Sequence, residues 1–267
     1  LALVTTATSS LILFAVTLLF FGIPDLAPGF WTAALITGAL NSVMIPLGFK
    51  AYEYGEFSSV YSMSLTTPIF LLLTGWIFLG EIPPVLGMIG VVLTVAGLWE
   101  ITRSNPKNTE VRDFKKGNLF ALAVALMASV SVNFDKLATI YSGRTFSYAV
   151  IMGLVALGYA IYLLFTKGSV IIKTGSNQIA ENHGKFMGIF FHGLILVFLA
   201  GLSQAANGYL YNSALATGLA SYTIAIKRVG VLLGVFWGWL FFREKNISKK
   251  LIGVGIAIAG VILILFT

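Results

Sequence analysis

Runs of about 20 residues that are apolar on every face of a helix constrain this chain more than any other feature. In Leu11 to Phe21 and Val91 to Leu98 only Thr17 and Thr94 interrupt the apolar side chains. Membrane β-strands alternate apolar and polar residues with period two, so these runs are helices, whose backbone hydrogen bonds close within the segment. Nine such stretches follow one another, near residues 2–23, 29–51, 57–79, 84–102, 117–139, 145–166, 187–212, 219–242 and 250–267. The composition agrees: 58% of the 267 residues are hydrophobic, 10% are charged and mean hydropathy is +0.93. Soluble domains carry about 25% charged residues. The expected fold is all-α and polytopic, an integral membrane protein whose short loops leave almost nothing for a soluble domain.

The absent residue types narrow the chemistry further. With no cysteine and two histidines, His183 and His192, disulfide frameworks, zinc ribbons, cysteine nucleophiles and histidine-rich metal sites are not expected. No paired carboxylates and no nucleophile with a base stand within the spans, so neither an enzyme nor a cofactor is expected. The net charge of +7 sits in short loops beside apolar runs, which reads as topology and not as nucleic-acid binding. No cleavable signal peptide is evident, and the chain opens on Leu1 inside an apolar run, so its true start is expected upstream.

The chain also repeats itself. At an offset of 163, Gly75, Trp76, Ile77 and Phe78 meet Gly238, Trp239, Leu240 and Phe241, while Glu81 meets Glu244, Gly90 meets Gly253 and Gly97 meets Gly260. Upstream in the same register, Gly38 meets Gly201, Asn41 meets Gln204 and Gly55 meets Gly218. A shared tryptophan and carboxylate make this a duplication. The first copy covers 1–102 with four spans, 103–116 link, and the second covers 117–267 with five, so one helix is expected ahead of residue 1. Copies with an odd number of spans cross the membrane in opposite senses, the inverted-repeat plan of secondary transporters.

The segment from Pro68 to Glu81, followed by Gly90 and Gly97, resembles the paired helices of the EamA domain of the drug/metabolite transporter superfamily. Ile226 through Gly230, then Arg243, Glu244, Gly253 and Gly260, resemble the same element again. The resemblance implies a ten-helix bundle of five plus five inverted helices around a central polar cavity, of which nine spans are present. Lys227 and Arg228 are also similar to a pair in the sugar-phosphate translocators of that superfamily, where the pair meets the anionic substrate.

Polar residues inside spans are the candidate substrate contacts, because a charge at mid-membrane costs about 2.5–3.5 kcal/mol on insertion scales and usually faces a cavity or partner. Lys227 and Arg228 lie roughly 12 Å into the eighth span, either lining a cavity or snorkelling. Gly230, Gly234 and Gly238 share a stripe with Lys227 and point it into the bundle. Asp135 closes the fifth span with Lys136, as a solvated helix end or as the counter-charge and proton carrier. Ser129, Asn133 and Lys136 share a face. Ser203, Gln204, Asn207 and Tyr211 in the seventh span either line the path or bond across helices, and Asn41 is the carboxamide mate of Gln204. Tyr61, Ser64 and Thr67 fall on one face of the third span, backed by Pro68, which frees a carbonyl. Glu81 and Glu244 are expected to cap loops.

No filter-like motif suggests a channel. The leading reading is a secondary carrier of a small polar metabolite, an amino acid, carboxylate or organophosphate, working by alternating access in a bacterial inner membrane. Its partners are that substrate, the lipid bilayer and a proton or exchange substrate. An exporter of cationic or amphipathic drug-like compounds stays open, as does a non-transporting scaffold. Alternate assignment of loops puts 13 of the 17 lysines and arginines on one face, in loops that include 103–116 and 243–250. The positive-inside rule then places those loops in the cytoplasm and Thr267 outside. Ten-helix relatives, drawn with both termini inside, imply the reverse.

Overall fold

The computed structural model describes residues 2–55, 57–103, 114–165, 183–233 and 247–267. In chain order the described elements are α1 (Ala2–Val16) with a π-helical turn (Thr17–Phe21), α2 (Phe30–Tyr54), α3 (Phe57–Ser64), α4 (Thr67–Leu79) and α5 (Val85–Arg103). There follow α6 (Phe114–Ser142), α7 (Arg144–Phe165), α8 (His183–Thr217), α9 (Ala220–Arg228) and α10 (Ile247–Leu265). Six described segments are long and apolar enough to cross a membrane, and Val85–Ile101 and Leu251–Leu265 are shorter apolar helices. This is a multi-pass helical membrane fold. Residues 104–113 of the expected linker, and Gly234, Gly238 and Glu244, lie outside the described residues.

Two spans depart from the uninterrupted helices read from hydropathy. The third is two helices, α3 of 8 residues and α4 of 13. The break falls at Leu65 and Thr66, whose N–H groups bond back three or four residues, to Ser62 O and Tyr61 O and to Met63 O. Pro68 therefore stands in the first turn of α4, where its missing N–H costs nothing, and is not a mid-helix kink. Among the described residues the proline inside a helix is Pro46 of α2. The eighth span is likewise interrupted, α9 closing at Arg228 with Val229 N–H bonded to Ile226 O. The fifth span runs beyond its expected end: α6 continues to Ser142, so Asp135 and Lys136 sit within the helix.

The chain forms two compact units, Leu1–Ser42 with Leu137–Ala216, and Val43–Lys136 with Thr217–Thr267. Each draws on both sequence repeats. Lipid is as apolar as leucine, so close backbone approach and polar contacts must hold such helices together. In the first unit the Ser10 hydroxyl donates to Ala149 O (2.7 Å), joining α1 to α7. Asn212 of α8, fully buried, donates through Nδ2 to Arg144 O (3.0 Å) and Ser147 Oγ (2.9 Å) of α7. A small apolar core of Leu13, Ala149 and Ala205 lies between these helices.

In the second unit α5 and α10 cross on four glycines. A Cβ on Gly97 would stand 2.5 Å from Gly253 O, and one on Gly253 would stand 2.6 Å from Gly97 O. Likewise, a Cβ on Gly90 would stand 2.7 Å from Gly260 O, and one on Gly260 would stand 2.6 Å from Gly90 O. No side chain fits at such distances. The 163 offset makes Gly90 the mate of Gly253 and Gly97 the mate of Gly260, and the contacts run crosswise between these mates, 90 with 260 and 97 with 253, as a local two-fold relation would require. Beside it lie Leu65, Leu98, Ile101 and Ala257, with the Tyr61 ring against them.

Candidate functional site

The polar residues singled out in the sequence divide between the two units. The second unit holds Tyr61, Ser64, Thr67, Asn133, Asp135, Lys227 and Arg228; the first holds Asn41, Gln204, Asn207 and Tyr211.

In the second unit the break in the eighth span positions the two cations. Lys227 and Arg228 occupy the last turn of α9, where the helix dipole favours positive charge. Lys227 is exposed and Arg228 half-buried. Lys227 is in Coulombic reach of Arg228 on its own helix and of Asp135 on α6. Arg228 in turn is in reach of Tyr52 of α2, which also feels Tyr61 of α3. Four candidates, Lys227, Arg228, Asp135 and Tyr61, thus belong to one electrostatic cluster, with Tyr52 as a member that sequence reasoning missed. The small-residue argument fails at Gly230, which is exposed with nothing within 4 Å of a Cβ built on it. It marks no packed face.

The remaining candidates of this unit are engaged locally. The Ser64 hydroxyl donates to Tyr61 O (2.7 Å), which also accepts the Leu65 N–H, and the Thr67 hydroxyl donates to Ser64 O (2.8 Å), the carbonyl that Pro68 leaves without an N–H partner. The expected single face of Tyr61, Ser64 and Thr67 is therefore split across two helices. Asn133 is fully buried, its Nδ2 donating to Ser129 O at 3.0 Å. Ser129 O also accepts from the Thr74 hydroxyl of α4 (3.4 Å).

One turn beyond Asn133 is a buried ion pair that sequence reading treated as a solvated helix end. Lys136 Nζ lies 2.5 Å from Glu81 Oε1 and donates to Gly218 O at 2.6 Å; the two side chains are 13% and 10% exposed. Glu81 Oε2 accepts the N–H of Ala220 (2.8 Å), the first residue of α9. Glu81 thus caps a helix across the loops, as expected of it, and with Lys136 ties α6 and the turn after α4 to the start of α9. The sequence signal available was the repetition of Glu81 at the common offset.

In the first unit Gln204 and Asn41 are half-buried. Gln204 Nε2 approaches Met152 Sδ (3.4 Å), and Asn41 Nδ2 donates to Thr37 O (2.9 Å) on its own helix. Among the residues of α8 from Gly193 on, the buried positions are Gly201, Ala205, Gly208, Asn212 and Leu215. The stripe of Gln204, Asn207 and Tyr211 is offset from these, with Asn207 and Ser203 exposed.

Long apolar helices, a glycine crossing and two cations closing α9 define a multi-pass helical membrane protein. The sequence model of the EamA-like transporter family matches residues 1–103 and 115–266. The chain belongs to that family, whose members are transporters of small molecules. A solved structure described as "Crystal structure of protein" superposes with a TM-score of 0.71 at 13% identity, covering 99% of this chain and 86% of that one. At that identity the likeness shows the fold. No curated protein matches the sequence.

Proposed function

We propose that the protein is a secondary carrier of a small metabolite anion, a carboxylate or an organophosphate, working by alternating access in a bacterial inner membrane. One observation carries the reading. Two successive cations, Lys227 and Arg228, end a nine-residue helix in the stretch read from hydropathy as the eighth span, with a carboxylate, Asp135, in reach of Lys227. A cation placed within a membrane span calls for a polar or anionic partner, and an anionic substrate would supply one to this pair. The hydroxyls of Tyr52 and Tyr61 add neutral donors, and Asp135 is the group that would take up a proton for coupling. The carboxamides Asn41 and Gln204, with Asn207, Tyr211 and Asn133, are proposed as further polar contacts that tune affinity. The glycine crossing at mate positions supports two repeats, 1–102 and 117–267.

The test is a metabolite screen in proteoliposomes of the intact protein. For each anion transported, Lys227→Ala abolishes uptake and Lys227→Arg retains a measurable fraction. Unchanged uptake of every substrate in the Lys227→Ala protein removes the basis of the anion preference.

A further inference from the structure

We propose that the start of α7 forms a binding site for a phosphate ester, separate from the cations of α9. A cavity of about 340 Å³ in the first unit is lined by Thr17, Phe21, Ser142, Arg144, Thr145 and Tyr209, among others. Its walls carry donors without acceptors. Thr145 is only 7% exposed, and among the described residues its hydroxyl makes no hydrogen bond. The first hydrogen bond at the start of α7 runs from Ser147 N–H to Gly143 O (3.3 Å). The N–H groups of Arg144, Thr145 and Phe146 therefore meet no carbonyl among the described residues. Arg144 brings a guanidinium to the same cavity and has no carboxylate partner among the described residues. The hydroxyls of Thr17 and Ser142, by contrast, donate to Leu13 O (2.7 Å) and Ala138 O (3.0 Å) of their own helices.

The arrangement is held from behind. Buried Asn212 grips Arg144 O and the Ser147 hydroxyl, and Gly143 turns the chain at φ 88°. Open N–H groups, one unpartnered hydroxyl and an arginine fork suit an oxyanion with several acceptor atoms. Asp25, beside the lining Pro24, is exposed to solvent, where its opposing charge is screened. The apolar side adjoins the cavity through Phe21 and continues over Leu18, Leu19 and Phe20, all more than half exposed. That strip would seat acyl chains next to a headgroup phosphate, and a soluble phosphate ester would use the polar half alone.

Two probes separate the sources: glycerol phosphate by isothermal titration of the intact protein in neutral detergent, and phosphatidylglycerol by native mass spectrometry. At least one binds, and Arg144→Gln lowers its affinity about tenfold, the loss expected for a charge-assisted contact. Thr145→Val, which keeps the side-chain shape, lowers it measurably even where Arg144→Gln fails to fold. Binding of the lipid alone identifies a headgroup, and binding of glycerol phosphate identifies a soluble ester. Failure of both probes at millimolar concentration, or affinity unmoved by either variant, overturns the site. Lys227→Ala leaves this binding intact, so the result is independent of the carrier reading.

Discussion

Gly97→Ala tests whether the α5–α10 crossing is set by backbone contact. The added methyl would stand 2.5 Å from Gly253 O and 2.9 Å from Ala257 Cα, both backbone atoms that no rotamer change can move. An ordinary carbon-to-oxygen contact is about 3.3 Å or more, so the helices must part by roughly 0.8 Å. Overpacking of this kind costs about 1–3 kcal/mol, against a helix-propensity gain of about 1 kcal/mol for alanine over glycine. The expected net loss is about 0–2 kcal/mol, which places the variant about 1–3 kcal/mol below one that keeps only the propensity gain. Gly255→Ala is the matched control on α10: a Cβ there meets nothing within 4 Å, so only the gain remains. Gly97→Ala combined with Gly253→Ala should cost less than the sum, because the second methyl enters a crossing already parted. The assay is unfolding in detergent followed by tryptophan fluorescence. If Gly97→Ala proves as stable as Gly255→Ala, the crossing does not depend on glycine and the packing argument is wrong.

Glu81→Gln leaves the Lys136 ammonium buried without its counter-charge and should destabilise by about 3 kcal/mol; Lys136→Met added to it restores part of that loss in a double-mutant cycle. Asn212→Ala removes two donors from buried acceptors on α7 and should cost about 1–3 kcal/mol, read by the same unfolding assay. For topology, the charge count predicts that a reporter fused after Thr267 in the intact protein reports outside the cytoplasm, and a cytoplasmic signal refutes the count.

How much was legible in the sequence follows from the physics of each feature. Apolar runs of membrane length can fold in lipid only as helices, so the all-α, multi-pass class followed from composition and period alone. The repeat at offset 163 singled out Gly90, Gly97, Gly253 and Gly260 before any coordinate. Local signals could not tell that these glycines face one another, since proximity between residues far apart in the chain is a property of packing. The same limit governs charge. From sequence, Lys136 looked like a solvated helix end, because its counter-charge, Glu81, stands 55 residues away and meets it only in the fold. Hydropathy also overlooked the breaks at Leu65 and Val229, because an average over a whole span does not register where the backbone hydrogen bonds change partner. The sequence by itself determined the solvent, the helices and the duplicated pattern; the tertiary structure decided which buried polar groups became partners. A buried charge or N–H group must be satisfied by whatever the packing brings near it, and the order of residues along the chain does not specify that neighbour.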